Sequence, residues 1–464
     1  MLIERFYLNC LSHASYMVAD ESTKTAAIID PQRDIEIYLN AAQAKGLAIK
    51  YVLLTHFHAD FVAGHLELRE STGAQVVLGS KAKAEFPSLP VGEDQSIEFG
   101  AVRLTALQTP GHTPDAITIL AFDKSKSDDE PVAAFTGDTL FIGDVGRPDL
   151  LGSLGFKPED LGEMLYHSIE KIKQLPDDTL VYPAHGAGSL CGKSLGTETY
   201  STIGQQKKLN YALQPMSKQE FIKLVLADQP FAPAYFVHDA IMNRKNHSTL
   251  TDSLQSAHRA LPLAEVLQAQ TAGTQILDTR DPNEFSNGHL RGAINVGIDG
   301  TFATWAGSVL KADLPIVVIA APGREKESIM RLGRIGFDNV RGYLDGGNGA
   351  LRNSPERTQA FPRTAAQDVD DIAAPHVVLD VRSASERAGG AIEGSLHIPL
   401  NELPKRFNEV PKSKRVVIHC AGGYRSAVAA SILQQNGFDD VTDIVGGFKA
   451  WAACHSITTV RCEK

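Results

Sequence analysis

A chain of 464 residues exceeds what one core organises, so roughly two to four domains are expected. Hydrophobic and charged fractions of 43% and 22% are those of an ordinary globular protein, and a net charge of −10 argues against nucleic acid and anionic membrane surfaces as partners. No apolar run approaches the length of a membrane span. The N-terminus, MLIERFYLNCLSHASYMVADE, has no basic stretch leading into an apolar one and reads as strands of the mature fold. Five dispersed cysteines, Cys10, Cys191, Cys420, Cys454 and Cys462, read as reduced thiols and give the cytoplasm as the expected compartment.

Residues 1–240 alternate strand and helix patterns. Ala26–Asp30 is a buried-strand run, and Arg33–Lys45 has helical spacing stopped by Gly46. The next strand, Ile49–Leu54, delivers His56, His58 and Asp60. Later strands are expected over Gln75–Leu78, Val102–Gln108, Ala116–Phe122, Ala133–Thr136 and Thr179–Tyr182, with an amphipathic helix over Glu163–Leu175. Residues 205–257 are polar and helix-rich, broken by Pro215, Pro230 and Pro233. They read as an extension of the first domain that runs into a linker at 241–257.

The remainder repeats itself. Ile276-Leu-Asp-Thr-Arg280 matches Val378-Leu-Asp-Val-Arg382, Ile316–Ile319 matches Arg415–Ile418, and Asp345-Gly-Gly matches Val445-Gly-Gly, each pair about 100 residues apart. Two copies of one α/β domain are therefore expected, over 258–360 and 366–464.

Four fragments place a ligand-capable residue just past an apolar run: Thr55-His-Phe-His-Ala-Asp60, Thr109-Pro-Gly-His112, Phe135-Thr-Gly-Asp138 and Tyr182-Pro-Ala-His185. Together they point to a metal site at a sheet edge. This set resembles the metallo-β-lactamase superfamily over 1–240, which implies an αββα sandwich. Two-metal hydrolases of the superfamily continue the motif with a histidine where Phe61 stands here. The pattern that remains is similar to the persulfide dioxygenase branch. That resemblance makes His56, His112 and Asp138 the ligands of one Fe(II) per chain. It makes His58, Asp60 and His185 the groups that orient those ligands and tune water. Two imidazoles and a carboxylate on one face also suit a non-haem Fe(II) oxygenase, because coordination positions stay open for sulfur and O2. Arg147, in Gly143–Asp149, is a candidate for binding substrate or a sulfur–oxygen anion. Cys191 is a candidate for contacting sulfur, with Lys193 nearby to favour its thiolate.

In the second repeat, Val416-Val-Ile-His-Cys420 is followed by Ala421-Gly-Gly-Tyr-Arg425 and a helix. The glycines let backbone N–H groups turn toward one anion, and the helix start and Arg425 add positive potential. Cys420 is thus expected to be a nucleophile able to carry a persulfide. This Cys-x4-Arg loop, with Asp380-Val-Arg382 and Gly446–Trp451, resembles the rhodanese family. The first repeat has Ala321 where a nucleophile is expected and reads as catalytically inert.

Taken together, the resemblances imply an α/β chain with a sandwich followed by two parallel-sheet rhodanese domains. Its implied activity is Fe(II)-dependent oxidation of a glutathione- or coenzyme A-type persulfide by O2, coupled to sulfur transfer between sulfite and thiosulfate. Self-association is also expected. The alternative is a glyoxalase II-like thioester hydrolase joined to a rhodanese.

Overall fold

The computed structural model describes residues 1–152, 155–372 and 375–455. The chain divides into two units, one of Met1–Leu250 with Gly333–Gly336, the other of Thr251–Leu332 with Phe337–Lys464.

The first unit is built on two six-stranded sheets. The first sheet runs in the order Leu2–Leu8, His13–Asp20, Thr25–Ile29, Ala48–Leu53, Gln75–Gly79 and Leu89–Val91. It is antiparallel at the start and parallel from Thr25–Ile29 onward. The second sheet contains Ser96–Phe99, Val102–Gln108, Ile117–Asp123, Ala133–Gly137, Leu180–Pro183 and Ser201–Thr202. Alternation along the strands sends Val18, Ala27, Leu53 and Val77 inward from one sheet, to meet Leu104, Ile119, Ala121 and Phe135 from the other. The opposite faces are covered by helices. Tyr38, Ala42 and Leu68 pack on Met17, Ile28 and Val52, while Leu165, Ile169, Phe221 and Val225 cluster with Val181. This is the expected αββα sandwich.

The second unit holds two parallel five-stranded sheets with the same relative strand order. In the first repeat, Gln275–Asp278 lies between Ile294–Asn295 and Ile316–Ile319; in the second, His376–Asp380 lies between Leu396–His397 and Arg415–His419. The frames are braced alike. Arg280 grips Asp278 at 2.6 Å and Arg382 grips Asp380 at 2.7 Å, both with almost no exposure. No helix among the described residues is long and apolar enough to cross a membrane.

Candidate metal centre and sulfur-transfer site

The histidines and carboxylates that the four sequence fragments single out sit where strands end. The Ala48–Leu53 strand releases the 54–64 loop, the turn after Val102–Gln108 carries His112, Ala133–Gly137 ends at Asp138, and Leu180–Pro183 leads to His185. Gly137 has φ +51°, and a β-carbon there would strike the Thr55 side chain, so only glycine lets Asp138 close on the first loop.

Among the described residues two buried trios of histidine and carboxylate result, His56, His112 and Asp138, and His58, Asp60 and His185, and a third joins Asp138 and His185 to Cys191, each with ligand atoms within 4.8 Å of one another. Asp138 stands between the first two. Its Oδ2 is 3.4 Å from His112 Nε2 and 4.0 Å from His56 Nε2, and its Oδ1 is 3.5 Å from His185 Nε2. The histidine absent at position 61 therefore does not empty the second trio. Phe61 is a core residue, packed with Leu54, Leu66 and Phe86, and its ring lies 4.5 Å from His58 and 4.1 Å from His13. His58 Nε2 lies 3.0 Å from Asp30 Oδ1, so a cation on the second trio competes with Asp30 for that nitrogen.

Hydrogen bonds fix the tautomers. His112 Nδ1 lies 2.9 Å from the Arg147 carbonyl, and His185 Nδ1 lies 3.2 Å from that of Ser12; a carbonyl only accepts, so both Nδ1 atoms carry the proton. Thr55 donates to Asp30 Oδ2 at 2.8 Å and so accepts from His56 Nδ1 at 3.0 Å. The Nε2 atoms of His56, His112 and His185 are thus left as lone pairs facing carboxylate oxygens, and neither those of His56 and His185 nor either Asp138 oxygen has a hydrogen-bond partner. Burial keeps His112 and His185 neutral, at about 4, and drives His56 well below its usual range. Burial also raises Asp60 to about 6, and burial with the Asp60 charge pushes Asp138 well up. Converging lone pairs on neutral imidazoles and buried carboxylates fit a cation and little else.

Other groups hold this site that the sequence pattern does not reveal. Asn243 is fully buried. It donates to the His58 and Phe61 carbonyls and accepts from Ala63 N–H, all at 2.8 Å. Tyr235 donates to the Asp60 carbonyl at 3.0 Å. Both lie in the stretch expected to be extension and linker. His13, buried on Phe61, reaches the Asp30 carbonyl at 2.8 Å.

Arg147 is not free for substrate. Asp149 engages it through two bonds of 2.7 Å, it donates to the Leu190 carbonyl at 3.2 Å, and its own carbonyl orients His112. Cys191 is buried beside Asp138 and His185. Burial and the nearby Asp60 and Asp138 carboxylates push its thiol well up, opposite to the activation expected from Lys193. The ammonium of Lys193 instead donates to the Leu224 and Ala227 carbonyls at 2.6 and 3.2 Å, at the end of the Lys218–Leu226 helix.

In the second unit, Cys420 follows the Arg415–His419 strand. Its Sγ accepts from Gly423 N–H at 3.0 Å and lies 3.7 Å from Ser426 Oγ, which donates to the buried Asp443 at 2.8 Å. The Arg425–Gln435 helix points its N-terminus at this loop. Arg425 is forked by Glu386 at 2.6 and 2.7 Å, and this charge-assisted pair holds the Glu386 carboxyl down at about 2. The capping box Ser383-x-x-Glu386 is a sequence signal that points to this glutamate. Tyr424 donates to the Gly297 carbonyl of the first repeat at 2.6 Å, and a cavity of about 350 Å³ between the repeats is lined by Gly422, Tyr424, Arg363, Asp281 and Asp299.

The register corrects the inert repeat. Asp278 pairs with Ile319 as Asp380 pairs with His419, so Ala320, not Ala321, occupies the place of Cys420. The position still lacks a nucleophile. Cys10 is half-buried, Cys454 is exposed, and Cys462 lies outside the described residues.

Residues 8–185 match the Metallo-beta-lactamase superfamily, and 263–353 and 364–454 each match the Rhodanese-like domain. The mouse (Mus musculus) "Persulfide dioxygenase ETHE1, mitochondrial" is 34% identical over 218 residues, 46% of this chain and 75% of that protein. "Hydroxyacylglutathione hydrolase GloC" of Haemophilus influenzae is 31% identical over 241 residues, 46% of this chain and 97% of that protein. The crystal structure of a metallo-beta-lactamase from Staphylococcus aureus subsp. aureus COL superposes with a TM-score of 0.66 at 32% identity, covering 74% of this chain and 98% of its own.

Proposed function

Because the chain belongs to the metallo-β-lactamase superfamily and continues into two rhodanese-like domains, we propose that it oxidises the terminal sulfur of a thiol persulfide with O2 and transfers sulfur through Cys420. One Fe(II) per chain, held by His56, His112 and Asp138, supplies the redox chemistry that O2 requires. The observation that carries this reading is the convergence of imidazole lone pairs on Asp138. The similarity to a mouse protein named a persulfide dioxygenase supports it.

The chain's own groups have definable tasks. The Arg147 carbonyl and Thr55 keep His112 and His56 turned inward. His185, whose unprotonated Nε2 lies 3.4 Å from Asp60 and 3.5 Å from Asp138, accepts a hydrogen bond from the water that completes sulfite and so orients it. The net reaction is RSSH + O2 + H2O giving RSH, sulfite and two protons, with four electrons passing from sulfur to O2. At the second site the Cys420 thiolate attacks the sulfane sulfur of thiosulfate. The S–S bond breaks with its electron pair on sulfite, and the resulting persulfide is stabilised by Gly423 N–H and the helix N-terminus. The reverse step joins sulfite to a Cys420 persulfide and yields thiosulfate. Free thiols and persulfide carriers suit a reducing, cytoplasmic setting.

A second reading, thioester hydrolysis on two metals, is favoured by the intact His58, Asp60 and His185 trio and by the Haemophilus relative. The two are separated by anaerobic Fe(II) loading, followed by O2 consumption with glutathione persulfide and by thiol release from S-lactoylglutathione. The proposal predicts O2 uptake and sulfite; thioester cleavage without O2 uptake overturns it.

A further inference from the structure

The arginines near the Cys420 loop are already spent. Arg425 ends the loop and feels the Cys420 charge, yet it gives both terminal nitrogens to Glu386, at 2.7 and 2.6 Å. Its guanidinium also lies 5.9 Å from the ring of Trp305, which the inert repeat supplies from its helix Phe302–Val309. Arg363 is forked by Asp443 at 2.8 and 2.9 Å. Arg382 and Arg387 both close on Asp380. Lys449, whose N–H reaches the Ala421 carbonyl, is solvent-exposed, so salt screens its charge.

The cavity that opens on Gly422, Gly423 and Tyr424 adds no free cation. Among the described residues of its lining Arg363 is the only cation, and the inert repeat contributes Asp281 and Asp299. This matters because sulfur donors differ in charge at the reacting atom. Thiosulfate brings a dianion to the Cys420 thiolate. A thiol persulfide reacts as RS–SH, with its acidic groups several bonds from the sulfur. In both cases a new S–S bond forms on Cys420 and the donor S–S bond breaks, its electron pair leaving on sulfite or on RS⁻. The thiosulfate step therefore gathers more negative charge on the loop. With Arg425 held by Glu386, the Gly423 N–H and the helix start are left to meet that charge.

We propose that Glu386 ranks the sulfur donors of this site: by neutralising Arg425 it favours an organic persulfide over dianionic thiosulfate. Glu386 is a positioning residue, acting through Arg425 and not on the donor itself. The inference rests on the reading that sulfur is transferred through Cys420.

The test removes the charge and keeps the local structure. Glutamine closes the same capping box as glutamate, so Glu386→Gln retains the bond from Ser383 N–H at 2.9 Å. Loading of sulfur onto Cys420 is timed by mass spectrometry on the full, Fe(II)-loaded chain without O2, once with thiosulfate and once with glutathione persulfide. Glu386→Gln should load from thiosulfate roughly tenfold faster than the parent, the scale of one charge-assisted contact, with a much smaller change from the persulfide. The gain should shrink as salt rises, and the parent's thiosulfate rate should depend little on salt. A variant that loads from thiosulfate no faster than the parent, or that gains equally with both donors, overturns the proposal. A parent whose thiosulfate loading falls steeply with salt overturns it as well, with no variant required. If Cys420 of the parent takes sulfur from neither donor, the sulfur-transfer reading itself fails; a parent that loads beside an indifferent variant sinks the role of Glu386 alone.

Discussion

Asn243 offers the sharpest test of how the metal loop is held. Its amide satisfies two carbonyls and one N–H of residues 58–63 at 2.8 Å each, with no exposure to solvent. Asn243→Ala leaves these three groups without partners. Each buried unsatisfied group costs about 1–3 kcal/mol, so a local penalty of roughly 3–6 kcal/mol is expected once some water enters. His56 lies on the same loop, and metal binding must then reorder it. At about 1.4 kcal/mol per decade, even a 3 kcal/mol penalty weakens metal binding roughly a hundredfold. Chelator competition on the parent and variant measures this, with amide exchange of residues 54–64 as a second readout. Faster exchange in the loop with weaker metal binding is the expected pair. Unchanged metal affinity in a variant whose loop exchanges as in the parent refutes the argument.

Other consequences follow from single contacts. Cys420→Ser should abolish sulfur transfer from thiosulfate and the added sulfur seen by mass spectrometry, while leaving O2 uptake in place; an adduct that persists would move the sulfur elsewhere. Lys193→Met removes two bonds to helix-end carbonyls and should lower stability by about 1–2 kcal/mol without changing O2 uptake, read by thermal unfolding and an oxygen electrode. His289 is buried on Phe285 at 3.7 Å, and burial holds it down at about 4. The unfolded chain binds this proton below about 6.5 and the folded chain only near 4. Its contribution is therefore complete above pH 6.5 and is lost as pH falls toward 4, by about 3 kcal/mol at most. His289→Ala, which copies Ala391 of the second repeat, should flatten the stability–pH curve in that window; an unchanged slope would contradict this.

The parts of this protein that were legible in its sequence are those where pattern and chemistry are contiguous. An apolar run followed by His56-Phe-His-Ala-Asp60 announces both the strand and the group at its end. The Cys420–Arg425 loop likewise carries its strand, its turn and its helix in one stretch. Asn243 and Tyr235 could not be found this way, because they meet the metal loop across about 180 residues and look like ordinary polar and aromatic helix residues. Lys193 shows the reverse error: nearness in sequence to Cys191 suggested electrostatic influence, but the long side chain turns to a helix end. The shift from Ala321 to Ala320 has a similar origin, since only strand pairing fixes which loop residue matches the nucleophile. Phe61 is subtler. Its identity suggested a missing ligand, and the fold instead uses it as core beneath His58 and His13 while the second trio persists.

The central claim is that one iron on His56, His112 and Asp138 spends O2 on persulfide sulfur. The direct measurement is stoichiometric. Iron per chain, O2 consumed, sulfite formed and thiol released are quantified together during turnover of glutathione persulfide. One iron per chain and equal amounts of O2, sulfite and thiol are expected, all lost in Asp138→Ala. Two tightly bound metals with thiol released from a thioester and no O2 consumed would contradict it.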